Sequence, residues 1–119
     1  MQTMAVIGAG QMGSGIAQVS AQAGIRVLLS DVSLELAEKA KDKIAKGYAK
    51  LVERGKIDAA LVAPTLDNLI PVGDYARLPE AELVIEAATE REDIKHKIFK
   101  AAGEFLAPTA IMATNTSSI

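Results

Sequence analysis

Short apolar runs alternate with longer stretches of helical spacing along this chain. Thr3–Ile7 is apolar and ends at Gly8, the pattern of a buried strand. Residues 11–23 carry Met12, Ile16, Val19 and Ala23 at helical spacing, with Gly24 where a helix would stop. A second apolar run, 25–30, ends at Asp31. Strand, helix, strand is a βαβ unit, which implies a parallel sheet and a right-handed crossover.

Ser33 is placed to cap a long helix running to about Arg54. Ala40, Ile44, Tyr48 and Leu51 share one of its faces, and Lys39, Lys43, Lys46, Lys50 and Arg54 fall on the other. Gly55 ends it. Residues 57–62 predict a short second helix stopped by Ala63-Pro64, so a helical hairpin interrupts the α/β pattern. Residues 69–72 read as a strand that Pro71 assigns to a sheet edge. A firmer strand follows at 83–87. Residues 90–106, with Ile94, Ile98, Ala101 and Phe105 at helical spacing, predict a helix closed by Pro108. A fifth strand at 110–113 leads into Thr114-Asn115-Thr116-Ser117-Ser118.

The expected fold is therefore α/β. It is a doubly wound parallel sheet of the Rossmann type with strand order 3-2-1-4-5 and an inserted helical hairpin, in one domain over residues 1–119. A chain stopping just past a polar turn reads as truncated. A sixth strand would normally follow the fifth, whose edge is then expected to stay open and invite pairing between copies.

Composition narrows the function classes. A chain of 119 residues, 50% hydrophobic and 24% charged, fits one folded domain and leaves no room for two. A net charge of −2 gives no footprint of a general nucleic-acid binder. With no cysteine there is no disulfide, thiolate metal site or cysteine nucleophile, and with His96 as the single histidine there is no histidine metal cluster. No apolar stretch approaches the length of a membrane span, and Met1-Gln2-Thr3-Met4 lacks the basic start of a signal peptide. The chain reads as cytoplasmic, with no membrane or nucleic-acid partner.

The chemistry sits in Gly8-Ala9-Gly10-Gln11-Met12-Gly13, a G-x-G-x-x-G pattern. It follows a predicted strand, opens a predicted helix, and is followed at the end of the second strand by Asp31. That context makes it a dinucleotide-binding fingerprint. Gly8 allows the tight turn, Gly10 lets a pyrophosphate approach the backbone, and Gly13 lets helix and strand pack closely. The positive end of the helix dipole then faces the phosphates. Asp31 would accept hydrogen bonds from the adenosine ribose and repel a 2′-phosphate, which argues for NAD over NADP. The plainer explanation is that the glycines serve packing alone and Asp31 caps the next helix.

The run Val6-Ile7-Gly8-Ala9-Gly10-Gln11-Met12-Gly13-Ser14-Gly15-Ile16-Ala17-Gln18 resembles the N-terminal domain of the 3-hydroxyacyl-CoA dehydrogenase family. So do Leu51-Val52-Glu53-Arg54-Gly55-Lys56, Val84-Ile85-Glu86-Ala87 and Ala113-Thr114-Asn115-Thr116-Ser117-Ser118. The last of these, with the hairpin, is the more specific. The resemblance implies oxidation of the 3-hydroxyl of an acyl-CoA by NAD, or the reverse. By position it puts Gly8, Gly10, Gln11, Met12, Gly13 and Asp31 on the cofactor, with Glu90 and Lys95 near its nicotinamide half. It puts Ser117 at the substrate and nicotinamide, with Asn115 supporting that turn. The family's catalytic histidine–glutamate pair and its helical substrate and dimerisation domain match nothing in this chain. The implied behaviour is NAD binding without turnover by the chain alone, and a homodimer for the full-length protein. His96, between Lys95 and Lys97, reads as a solvent-facing imidazole rather than a replacement base.

Residues 39–56 hold seven basic residues and two acids, a local charge of +5, which leaves −7 for the rest. Such a stripe is commonly a solvated helix face. The family resemblance offers a second reading, in which Lys50, Arg54 and Lys56 attract the phosphates of coenzyme A. Three other functions share parts of the pattern. They are a 3-hydroxyacid dehydrogenase of the 6-phosphogluconate-dehydrogenase kind, a nucleotide-sensing Rossmann module, and a structural crystallin of the same family.

Overall fold

The computed structural model of the chain describes residues 2–31, 33–87 and 111–114, and the expected helix at 90–106 lies outside them. Strands β1 (Thr3–Ile7), β2 (Arg26–Ser30), β3 (Leu69–Val72), β4 (Leu83–Glu86) and β5 (Ile111–Thr114) form one parallel sheet in the order β3-β2-β1-β4-β5. The expected order holds, and Pro71 does lie on an edge strand. The chain winds outward from β1 to β3, then returns to β4 on the other side of β1. That reversal opens a crevice above the carboxyl ends of β1 and β4.

β1 is buried on both faces, as a central parallel strand must be. Met4 and Val6 join Val27 and Leu29 beneath the helices α1 (Gln11–Gln22) and α2 (Leu34–Glu53). Ala5 and Ile7 face the other way, with Leu28, Val72, Leu78 and Val84. The alternation of strand side chains thus builds two apolar layers from one apolar run.

α1 forms where the spacing predicts it, but on a different face. Its buried residues are Gly13, Ala17 and Ala21, while Met12 is 53% and Val19 71% exposed. Small residues are needed because α1 lies almost against β1. A Cβ at Gly13 would stand 1.7 Å from the carbonyl oxygen of Gly8. Met12 and Val19 are left on the outer side of the helix, while Ile16 is half-buried against the core.

α2 begins as expected. Ser33 caps it, its hydroxyl accepting from the Leu36 N–H at 3.2 Å. Ala40, Ile44 and Tyr48 are buried against the sheet layer. The Tyr48 hydroxyl donates to Gln22 Oε1 at 3.0 Å, which ties α2 to the end of α1. The helix ends in a Schellman pair of bonds, Gly55 N–H to Val52 O and Lys56 N–H to Leu51 O. The hairpin's second arm departs from expectation. A short 3₁₀ turn at Ala59–Leu61 leads into α3 (Val62–Asp67), so Pro64 lies inside the helix rather than stopping one at 57–62. Proline is tolerated in a first turn because the N–H it lacks would have no intrahelical partner there. Asn68 then donates to Ala21 O at 3.1 Å and sets the start of β3 against α1.

Tyr48→Ala removes the largest side chain of this layer and its bond to Gln22. It should destabilise the fold by about 3–5 kcal/mol, seen in urea unfolding as a lower midpoint at unchanged slope.

Candidate dinucleotide-binding site

The turn between β1 and α1 is held from three sides. Gly8 has φ 108°, a region that a side chain disfavours, and it turns the chain sharply off β1. Its N–H donates to Ser30 O at 2.7 Å, which fixes the turn to the end of β2. The Ala9 N–H donates to Asp31 Oδ2 at 2.8 Å, and the Ser14 hydroxyl donates back to Ala9 O at 2.9 Å. Gly13 closes the turn against the carbonyl of Gly8, as its role in the fingerprint requires.

Gly10 is different. It is the N-cap of α1 in ordinary extended backbone, φ −70° and ψ −171°, and no side chain caps the helix. A Cβ there would meet nothing within 4 Å. Neither conformation nor packing calls for glycine at this position. Its absent side chain leaves the N-terminus of α1 open, where backbone N–H groups and the helix dipole suit an anion. These residues fit a pyrophosphate. Asp31 does not cap α2, since Ser33 does. It stands instead at the carboxyl end of β2, with one oxygen on the turn.

A cleft of about 400 Å³ runs from this turn between α1 and α2, lined by Gly10, Gln11, Ser14, Gly15, Lys43 and Gly47 among others. Gly15 and Gly47 lie inside helices, where glycine is less favourable than alanine by about 0.5–1 kcal/mol each. A Cβ at either would meet nothing within 4 Å. The fold gains nothing from either glycine, and both keep the cleft open.

The basic stripe divides. Lys39 pairs with Glu35 at 3.3 Å, an exposed i,i+4 contact of the kind that stabilises a helix slightly. Lys43, Lys50, Arg54 and Lys56 are exposed and enter no ion pair among the described residues. Of these only Lys43 lines the cleft. Sequence reasoning named Lys50, Arg54 and Lys56 and missed Lys43. The signal was available: positions 43, 47, 50 and 54 follow one another along a single helix face. Glu90, Lys95, His96, Asn115 and Ser117 lie outside the described residues. Among the described residues no group of histidine, cysteine, aspartate and glutamate is arranged for a metal, and no helix is long and apolar enough to cross a membrane.

The family profile described as 3-hydroxyacyl-CoA dehydrogenase, NAD binding domain, matches residues 3–119. The chain is 47% identical over 119 residues to the 3-hydroxyadipyl-CoA dehydrogenase of Escherichia coli K12, covering all of this chain and 25% of that protein. It is 38% identical over 119 residues to the 3-hydroxybutyryl-CoA dehydrogenase of Bradyrhizobium diazoefficiens, covering 100% of this chain and 41% of the other. The crystal structure of (S)-3-hydroxybutyryl-CoA dehydrogenase from Ralstonia eutropha superposes with a TM-score of 0.94 at 36% identity, over 100% of this chain and 42% of that one. The chain thus spans from 25% to 42% of the length of these relatives.

The two ends of the turn predict opposite behaviour for one extra methyl group. Gly10→Ala should fold with unchanged thermal stability and bind NADH about tenfold more weakly, because only the ligand meets the new group. Gly13→Ala should lower stability by about 1–3 kcal/mol through overpacking. Calorimetric melting and NADH titration of the two variants separate these effects.

Proposed function

This chain belongs to the 3-hydroxyacyl-CoA dehydrogenase family, as its NAD-binding domain, and we propose that the protein carrying it interconverts (S)-3-hydroxyacyl-CoA and 3-oxoacyl-CoA by hydride transfer. The observation that carries this reading is the glycine turn at the sheet's crevice, with Asp31 bonded to it through the Ala9 N–H. NAD supplies the hydride acceptor when bound. The chain's own residues bind and orient it. The N-terminus of α1, with Gly8, Gly10, Gln11, Met12 and Gly13, takes the pyrophosphate. Asp31 accepts the adenosine ribose hydroxyls and disfavours a 2′-phosphate by charge repulsion. On the family resemblance, Glu90 and Lys95 serve the nicotinamide half, and Ser117 with Asn115 serves the reacting end of the substrate.

The acyl-CoA partner enters by the cleft between α1 and α2. Lys43, Lys50 and Arg54 lie on one face of α2 and span about 16 Å at the helical rise of ~1.5 Å per residue. Lys56 follows the helix end. Together they form a strip of cations for the phosphates of coenzyme A, and Gly15 and Gly47 leave its path clear. Support for a homodimer of the full-length protein is the family resemblance.

Calorimetric titration suits a chain without tryptophan. NADH should bind, with NADPH at least about tenfold weaker. Equal affinity for the two would remove Asp31 from its proposed role. Lys43→Glu should weaken CoA binding several-fold at low salt, with the difference shrinking as salt screens it. An unchanged CoA affinity would take Lys43 out of the substrate path.

A further inference from the structure

The segment that carries Asp31 is short and is held at both ends. It runs from Ser30, the last residue of β2, to Leu34, the first of α2. At the first end Ser30 O accepts from the Gly8 N–H, and Asp31 Oδ2 accepts from the Ala9 N–H. At the second end the loop after β3 comes against it from the side. A Cβ at Gly73 would stand 2.9 Å from the Leu34 Cβ, 3.0 Å from its nitrogen and 3.3 Å from its Cα. The register of the sheet brings the same residues together. Ser30 pairs with Val72, so Asp31 and Gly73 take the next step off neighbouring strands.

Space alone calls for glycine at 73. Its φ lies outside the positive region that Gly8, Gly24 and Gly55 occupy, so its backbone suits other residues. The contact is not core packing either. Gly73 is exposed and Leu34 is 46% exposed, so little apolar area leaves the water there. What the contact fixes is position. The loop is the firmer side of it. Val72 before Gly73 and Leu78 after it are both buried in the layer containing Ala5, Ile7 and Leu28. Between them the Ala76 N–H donates to Asp74 Oδ1 at 3.0 Å, and the Leu78 N–H donates to Tyr75 O at 3.1 Å.

We propose that Gly73 is a positioning residue of the cofactor site. By letting the loop after β3 seat on the start of α2, it fixes the backbone that aims Asp31, and so contributes to the preference for an unphosphorylated ribose. The proposal rests on the assignment of Asp31 to that ribose. A methyl group at 73 would meet the backbone of Leu34, which cannot swing aside as the tip of a side chain can. With the loop anchored in the core, the start of α2 gives way, and the short segment back to Asp31 moves with it.

Gly73→Ala should move the amide signal of Ala9, whose proton is bonded to Asp31, in the proton–nitrogen NMR spectrum of the cofactor-free chain. A stationary signal overturns the proposal before any cofactor is added. In calorimetric titration the variant should bind NADH about fivefold more weakly, the equivalent of one ordinary hydrogen bond, and NADPH less than about twofold more weakly. Leu34→Gly reaches the same contact without adding bulk. It removes the Cβ nearest the loop and should lower the ratio of NADH to NADPH affinity in the same direction. Equal losses for both cofactors would show a contact that serves the fold alone. Asp31→Asn, which keeps an acceptor for the Ala9 N–H, tests the ribose assignment separately. If it leaves the ratio unchanged, that assignment fails, and with it the effect of Gly73 on cofactor choice. If it lowers the ratio while Gly73→Ala and Leu34→Gly do not, only the role of Gly73 fails.

Discussion

The approach of α1 to β1 governs the rest of the molecule. The carbonyl oxygen of Gly8 occupies the space that a Cβ at Gly13 would need. That contact sets the height of α1 above the sheet and brings its N-terminus over the crevice between β1 and β4. It also explains why the buried stripe of the helix is Gly13, Ala17 and Ala21. A larger residue at any of these positions would lift the helix off the strand. The open N-terminus of α1 would move with it, so packing and the geometry proposed for the pyrophosphate are one constraint.

α2 and the residue before β3 complete the frame around that contact. Tyr48 and Asn68 reach the end of α1 from two directions, one from the long helix and one from the start of β3. They hold the far end of α1 while the glycines hold the near end. Further along α2 the outward face has no such duty. It carries Lys43, Lys50 and Arg54 without ion pairs among the described residues, and the nearby Gly47 adds nothing to the fold.

Most of this architecture was legible in the residues. Apolar runs ending at Gly8, Asp31 and Glu86 gave the strands, and Ser33 announced α2. The misreadings have physical causes. Helical spacing of large apolar residues marked α1 but not its buried side, because a helix this close to a strand inverts the usual preference for bulk inside. Pro64 reads as a stop in the sequence, although a first turn tolerates proline. The place of Lys43 on one face with 47, 50 and 54 was legible, but that it lines a cleft depends on the spacing between two helices.

The bond from the Ala9 N–H to Asp31 has a consequence for changing cofactor preference. Replacing the acid with a neutral or basic residue is the obvious route to accepting a 2′-phosphate. Here a replacement without an acceptor also removes one of the two ties between the glycine turn and the end of β2, leaving only the bond from the Gly8 N–H to Ser30 O. The selectivity proposed for Asp31 and the rigidity of the turn are therefore inherited together. A lineage, or an engineer, that exchanged one cofactor for the other would have to supply a new acceptor for Ala9 in the same step.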